Sequence, residues 1–153
     1  MPNKFAQTLY KINLFRNFIF RPLTLGVRAI ILNSDEQVLL VKHSYLRGWY
    51  LPGGKVDKGE TLQEAIKREL KEELALTDVM IKDIHWAYSS MREYKNDHIV
   101  LFACETSVKP KVSCREIEAV QFFSPNDLPD DMSASTKQRL REFFEGLEKP
   151  SKW

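Results

Sequence analysis

Apolar residues recur along this chain with two different periods. Phe5, Leu9, Ile12, Phe15 and Ile19 are spaced three or four apart, which predicts an amphipathic helix over residues 4–19. Arg21-Pro22 ends it, because the residue before a proline avoids helical geometry. Leu23 to Leu32 predicts a long strand, Asn33-Ser34-Asp35 a turn, and Gln37 to Lys42 a returning strand, so the pair reads as a hairpin. His43 to Gly48 reads as a loop, and Trp49 to Leu51 as a short extended piece leading into Pro52-Gly53-Gly54. Val79 to Ser89 and His98 to Cys104 predict two strands joined by the polar segment Met91–Asp97, and Ala119 to Phe123 predicts another. Ser135 is placed to cap a last helix running to about Gly146, with Leu140, Phe143, Phe144 and Leu147 on its inner face. Strands mixed with a few helices predict an α/β sheet covered on both faces.

The segment Gly54–Leu76, GKVDKGETLQEAIKRELKEELAL, breaks this ordinary pattern. Thr61 and Glu64 form a T-x-x-E capping box, so a helix begins at Leu62. Leu62, Ile66, Leu70 and Leu74 make its core-facing stripe. At about 100° per residue, Glu69, Glu72 and Glu73 fall on one adjoining arc. Three carboxylates that close repel one another, and a hard divalent cation relieves the repulsion while taking oxygen ligands. Glu64–Arg68 and Arg68–Glu72 pairs on a solvated helix are the plainer account of the same acids.

Taken whole, the segment resembles the signature of the Nudix hydrolases, G-x5-E-x7-R-E-U-x-E-E-x-G-U with U aliphatic. Gly54, Glu60, Arg68-Glu69, Leu70, Glu72-Glu73 and Leu76 occupy the fixed positions. Ala75 stands where the family has glycine, which predicts a slightly lengthened or shifted helix exit. The lead-in Trp49-Tyr50-Leu51-Pro52-Gly53-Gly54 is similar to the family's as well. The resemblance implies a Nudix-type α/β/α sandwich with a mixed sheet, spanning residues 23–153, with residues 1–22 as an added helical arm. It also implies hydrolysis of nucleoside diphosphate-linked compounds with Mg²⁺, or alternatively Mn²⁺.

Carried onto this chain, the resemblance assigns metal binding to Glu69, Glu72, Glu73 and the backbone carbonyl of Gly53. Glu72 and Glu73 head the catalytic set. Arg68 holds the acids in place by ion pairing, and Glu60 assists it or binds an outer metal through water. The general base is open among Glu105, Glu116 and Glu118, with Glu116 favoured by its loop before the Ala119 strand. Arg28, Arg47 and Lys42 are candidates for phosphates. Tyr45 and Trp49, with Trp86 and Tyr88, are candidates for stacking a base or for packing. His43, His85 and His98 are scattered and do not read as a ligand set.

The substrate reading rests on small markers. Ser89 to Tyr94 lacks the proline of the family's ADP-ribose group, whereas Tyr94 lies where the dinucleoside-polyphosphate group carries a tyrosine. The N-terminal extension favours nucleotide sugars or ADP-ribose. Nucleoside triphosphates, dinucleoside polyphosphates and RNA 5′ ends are the alternative, and RNA is disfavoured by the acid-rich box half, which offers no basic path for a strand. A non-catalytic binding module is a further reading, against which stands the full set of box acids.

Composition adds bounds. At 153 residues, with 43% hydrophobic and 29% charged residues, the chain reads as one soluble domain with a real core. Its net charge is +2, yet residues 1–34 carry Lys4, Lys11, Arg16, Arg21 and Arg28 with no acid, so the rest is acidic on balance. The basic arm is read three ways: a cover for this chain's own sheet, a dimer arm, or a membrane-surface helix. A homodimer is the expectation. Cys104 and Cys114 show no paired spacing, no apolar run reaches a membrane span, and charged or polar residues interrupt any leader, so the expected location is the cytoplasm.

Overall fold

A computed structural model describes residues 4–20, 22–91 and 96–153, the side chains of 4–6 excepted. Chain order is α1 (Lys4–Phe20), β1 (Leu23–Leu32), β2 (Val38–His43), β3 (Trp49–Tyr50), α2 (Leu62–Leu74), β4 (Met80–Ser90), β5 (Asn96–Glu105), β6 (Ile117–Phe123) and α3 (Ala134–Glu145). The six strands form one mixed sheet in the order β3-β2-β1-β5-β4, with β6 paired to β2. β1 runs parallel to β5 from Leu23↔Asn96 to Leu32↔Glu105, and the other pairs are antiparallel.

Strand alternation divides the core between two layers. Val27, Ala29 and Ile31 of β1 and Leu39 and Val41 of β2 pack against Ile66, Leu70 and Leu74 of α2. Ile30, Val38 and Leu40 point the other way, towards Leu140 of α3. This is the α/β/α sandwich anticipated from the sequence. Each fully buried aliphatic side chain contributes roughly 1.5–3 kcal/mol, so the strands that carry these residues are the most firmly fixed part of the molecule.

The expected β1–β2 hairpin exists only at its tip. A single rung, Leu32↔Val38, joins the strands. Below it the glycine segment lies along β1 instead: the amides of Val27 and Ala29 donate to the carbonyls of Gly54 and Pro52, and Val56 donates to Leu25. With that edge of β1 occupied, β2 takes β6 as its long partner.

α2 has the capping box, with Thr61 as N-cap. It ends at Leu74 rather than lengthening. Ala75 itself adopts the left-handed conformation (φ 53°), and the amides of Ala75 and Leu76 donate to Lys71 and Leu70. The N-cap of α3 is Ser133, two residues before the expected Ser135, because the Ser133 hydroxyl is the one that accepts from the Thr136 amide.

Buried charge locks the C-terminal tail. Arg139 and Glu142, 2% and 1% exposed, are ion-paired at 2.7 Å. Tyr88 donates its hydroxyl to Glu142, and Arg139 lies over the rings of Tyr88 and Trp153 and donates to the Lys152 carbonyl. The tail also hydrogen-bonds to Ser89 on edge strand β4, through Ser151 and Trp153, which shields part of an otherwise open edge.

The apolar stripe of α1 faces outward. Leu9, Ile12, Phe15 and Ile19 are exposed, Phe15 to 68%, whereas Asn17 is buried beside half-buried Tyr10 and Leu14. Most of this stripe therefore does not cover the chain's own sheet; the helix instead turns Tyr10, Leu14 and Asn17 inward. The side chain of Phe5 lies outside the described residues.

An alanine in left-handed geometry costs roughly 1–2 kcal/mol, which glycine avoids at some entropic cost in the unfolded chain. Ala75→Gly is expected to raise unfolding stability by about 0.5–1 kcal/mol in urea titrations, without moving the end of α2. An unchanged or lower midpoint would contradict the helix exit described here.

Candidate active site

The ends of β1 and α2 and the glycine segment between them bring the acids together. The hub is Arg68. Its guanidinium donates to both carboxylate oxygens of Glu60 (2.6 and 3.0 Å), to Glu69 (2.9 Å), to Glu72 (3.4 Å) and to the Lys55 carbonyl (3.0 Å). One planar fork thus ties the 55–60 loop to the helix, as bidentate guanidinium–carboxylate geometry favours. The bond to Arg68, followed by one from the Asp57 amide, holds the Glu60 carboxyl down at about 2.

Glu73 is in the opposite situation. It is 7% exposed, and among the described residues its carboxylate accepts only a long bond, 3.4 Å, from the Gly53 amide. Burial first, then the negative charge of Glu69, push its pKa up to about 7, and Glu116 adds to the effect. Glu69 is raised as well, chiefly by burial. Glycine is required at Gly53, and at Gly54 it leaves room for the Glu69 side chain. Gly53 has φ 132°, and a Cβ there would strike the Val27 carbonyl; a Cβ on Gly54 would strike the Glu69 carboxylate.

Gly53, Gly54, Glu69 and Glu73 line a cleft of about 1110 Å³. Arg28 lies in it, donating to the carbonyls of Val27 and Gly54. Lys55, Arg115 and Glu116 lie in it too, so Glu116 is brought to Glu73 while Glu105 and Glu118 are not. Glu105 instead pairs with Lys82 at 3.2 Å, and Glu118 is exposed on β6. In the same cleft Tyr45 lies 5.6 Å from Tyr10 and 5.3 Å from His43, ring centre to centre, and His43 lies 5.5 Å from Tyr50.

Several expected residues stand elsewhere. Trp49 packs edge-on against Phe123, with Lys42 over its ring, and belongs to the α3-side core; the pleat of β3 sends it to the face opposite Tyr50. Arg47 is exposed on the loop and is not among the residues lining the cleft. Lys42 pairs with Asp131 at 3.5 Å. Trp86 is exposed beneath Lys149. Tyr88 is buried in the tail lock. Glu72 is at the rim, its side chain 60% exposed and turned to Arg68. Of the histidines, only His43 lines the cleft, while His85 packs on Phe143 and His98 meets Ser89. Tyr94 lies outside the described residues. Sequence reasoning missed Asn13, Arg16, Asn17, Lys55 and Arg115 at the cleft. For the two asparagines a signal existed: with Tyr10 they form a polar stripe at helical spacing on an otherwise apolar helix.

Among the described residues no three His, Cys, Asp or Glu side chains already stand as a metal cage. The reason is visible: Arg68 draws off the carboxylates of Glu69 and Glu72. The donors nonetheless fit a hard divalent cation in kind. Buried Glu73 beside half-buried Glu69 holds negative charge at a cost, and the carbonyl of buried Gly53 has no donor on it among the described residues, unlike those of Pro52 and Gly54. Oxygen donors of this type suit Mg²⁺ or Mn²⁺.

A family model described as the NUDIX domain matches residues 22–145. A protein of Bacillus subtilis (strain 168), provisionally named 8-oxo-dGTP diphosphatase, is 30% identical over 125 residues, 82% of this chain and 83% of that one. The ADP-ribose pyrophosphatase of Methanocaldococcus jannaschii is 32% identical over 104 residues, covering 65% of this chain and 61% of its own length. Among solved structures, a MutT NUDIX hydrolase from Burkholderia pseudomallei superposes with a TM-score of 0.64 at 27% identity, over 78% of this chain and 96% of that one.

The raised Glu73 carboxyl makes a stability prediction for the metal-free protein. Between the ordinary value of 4.5 and about 7 the folded state binds more protons than the unfolded state. Stability is therefore full below the lower value and falls as pH rises through the upper one. Glu73→Gln is expected to be more stable than wild type at pH 8 in EDTA, by up to about 3 kcal/mol, with the advantage shrinking as pH is lowered towards 5. Chemical denaturation at the two pH values checks it; a glutamine variant less stable at pH 8 would mean that the charged carboxylate is well accommodated.

Proposed function

The chain belongs to the Nudix hydrolase family and is a pyrophosphohydrolase, and we propose that its preferred substrates are nucleoside diphosphates linked to a sugar, ADP-ribose foremost. The observation that carries this reading is the cleft itself. It gathers Glu69 and Glu73, Arg28 and Lys55, and the rings of Tyr45 and His43 in one place. A charged pyrophosphate and a flat base carried by one molecule match those two kinds of group. The likeness to an ADP-ribose pyrophosphatase supports it.

In this reading Glu69, Glu72, Glu73 and the Gly53 carbonyl would hold Mg²⁺ or Mn²⁺, which neutralises phosphate charge and acidifies a bound water. Arg68 positions the acids. Arg28 meets phosphate oxygens. Glu116, close enough to raise the Glu73 pKa, takes the proton of the attacking water. Cleavage gives a nucleoside monophosphate and a sugar phosphate. The Bacillus relative, matched over most of its length, favours a second reading, hydrolysis of nucleoside triphosphates.

We also assign the outward face of α1 to a second copy of this chain. Ile12, Phe15 and Ile19 are each more than half exposed, a heavy cost at roughly 1.5–3 kcal/mol per large side chain. No described helix is long and apolar enough to cross a membrane. The basic arm complements the acidic balance of the remaining chain.

A panel of nucleotides with Mg²⁺ tests the substrate. ADP-ribose or a nucleotide sugar is expected to show the highest kcat/KM, with activity abolished by chelator and kcat lowered at least about 10²-fold in Glu73→Gln and Glu72→Gln. A triphosphate preferred tenfold would select the second reading, and near wild-type turnover in both variants would overturn the metal assignment. Light scattering tests the assembly: a dimer at micromolar concentration is expected, converted to monomer by Phe15→Asp. A wild-type monomer would refute it, and a monomer that binds anionic vesicles would assign the face to lipid.

A further inference from the structure

The cleft is larger than the part of the chain that the family model covers. α1, residues 4–20, precedes the matched segment 22–145, yet it forms one wall of the cleft. Tyr10, Asn13, Arg16 and Asn17, with Leu9, Leu14 and Phe20, line it from the helix, in company with Arg28, Tyr45, Gly53, Glu69 and Glu73. The contact is specific: the Tyr10 ring lies 5.6 Å from that of Tyr45 with a 32° tilt, and Asn17 is 6% exposed. A helix whose only task was to shed water would bury Ile12, Phe15 and Ile19. Here those are exposed, whereas Asn17 is buried, Tyr10 is half-buried and Asn13, exposed itself, lines the cleft beside them.

We propose that α1 is a wall of the substrate site, and that Tyr10, Asn13 and Asn17 receive the nucleoside end of the substrate. Each side chain suits the task. A carboxamide presents one acceptor and two N–H donors, the complement of a base edge or a ribose hydroxyl pair. The Tyr10–Tyr45–His43 cluster presents aromatic surface for a base, which stacks on it without a charge requirement. His43 adds a buried ring nitrogen, Nδ1, with no partner among the described residues. Arg16 brings a positive charge from the helix to the cleft, where a phosphate of the same ligand is reached. Chemistry and recognition are thereby divided: the α2 acids serve the pyrophosphate, and an element outside the family core chooses what is attached to it.

This inference rests on the nucleotide substrate reading above, and the two fail separately. Equilibrium binding of AMP in EDTA, followed by calorimetry, reads the nucleoside end without turnover, with ribose 5-phosphate as the baseless comparison. Tyr10→Ala and the double variant Asn13→Ala/Asn17→Ala are expected to weaken AMP binding at least fivefold and to leave ribose 5-phosphate binding within twofold. On ADP-ribose with Mg²⁺ they should raise KM by a similar factor with little change in kcat. Lys11→Gln, on the same helix but not in the cleft wall, should bind AMP as wild type does. AMP affinity unchanged in both α1 variants, with melting temperatures unchanged, would overturn the proposal. So would equal weakening of AMP and ribose 5-phosphate, which would give α1 a merely structural or phosphate-binding role. If the best substrate proves to be a nucleoside triphosphate while the variants still weaken AMP selectively, the substrate reading falls and the helix assignment stands.

Discussion

The arrangement turns on one guanidinium. Arg68 donates to Glu60, Glu69, Glu72 and the Lys55 carbonyl, so the glycine segment, the loop after it and α2 are held as one piece. Without that fork the 55–60 loop has few other anchors, since most of its residues are exposed. The glycine segment must also lie against β1, because Val27, Ala29 and Leu25 spend their backbone hydrogen bonds on it. The sheet topology follows: β2 is displaced from β1 and finds β6. A constraint set at the acids therefore propagates into strand order.

The same constraint leaves one acid poorly served. Arg68 satisfies Glu60 fully and Glu69 in part, while Glu73, one turn on and buried, has only the long bond from the Gly53 amide. A buried carboxylate with so little compensation destabilises its own charged form. Such an arrangement is stable enough to persist because the α2 stripe of Ile66, Leu70 and Leu74 is completely buried against the sheet. Hydrophobic burial on one side of the helix carries the electrostatic strain on the other, and a bound divalent cation would relieve it.

What could be read from the sequence was what local rules determine. The capping box, the start of α2, the strands and the acid cluster each depend on residues a few positions apart, and Thr61, Leu62 and Glu73 stand where the pattern puts them. The β1–β2 hairpin was legible but its short extent was not, because the competing partner, Gly54, is contributed from more than twenty residues away. Trp49 and Arg47 stand away from the cleft for a similar reason: composition marks an aromatic or a cation as able to bind, but only the pleat of β3 and the course of the loop decide which way it points. The apolar side of α1 was legible and its cover was not, because hydrophobic periodicity finds the apolar side of a helix without saying whether this chain covers it.

The outward face of α1 bears on how a scaffold of this kind varies. Both faces of the sheet are committed to packing, and α2 is fixed by its acids, so little of the core is free to change. The rim is free, and both segments outside the matched core, α1 before it and the tail after it, end at the same cleft. The tail reaches it through Trp153, held against Tyr88 and Arg139 by ring contacts and by the buried pair of Arg139 with Glu142. A buried ion pair is a poor device for stability alone, because desolvation offsets most of its attraction. It is a good device for fixing a chain end in one place, since an unpaired Arg139 or Glu142 would be far more costly than the paired arrangement. The tail is thus pinned by specificity rather than by bulk burial, and its Trp153 is set in the cleft's lining.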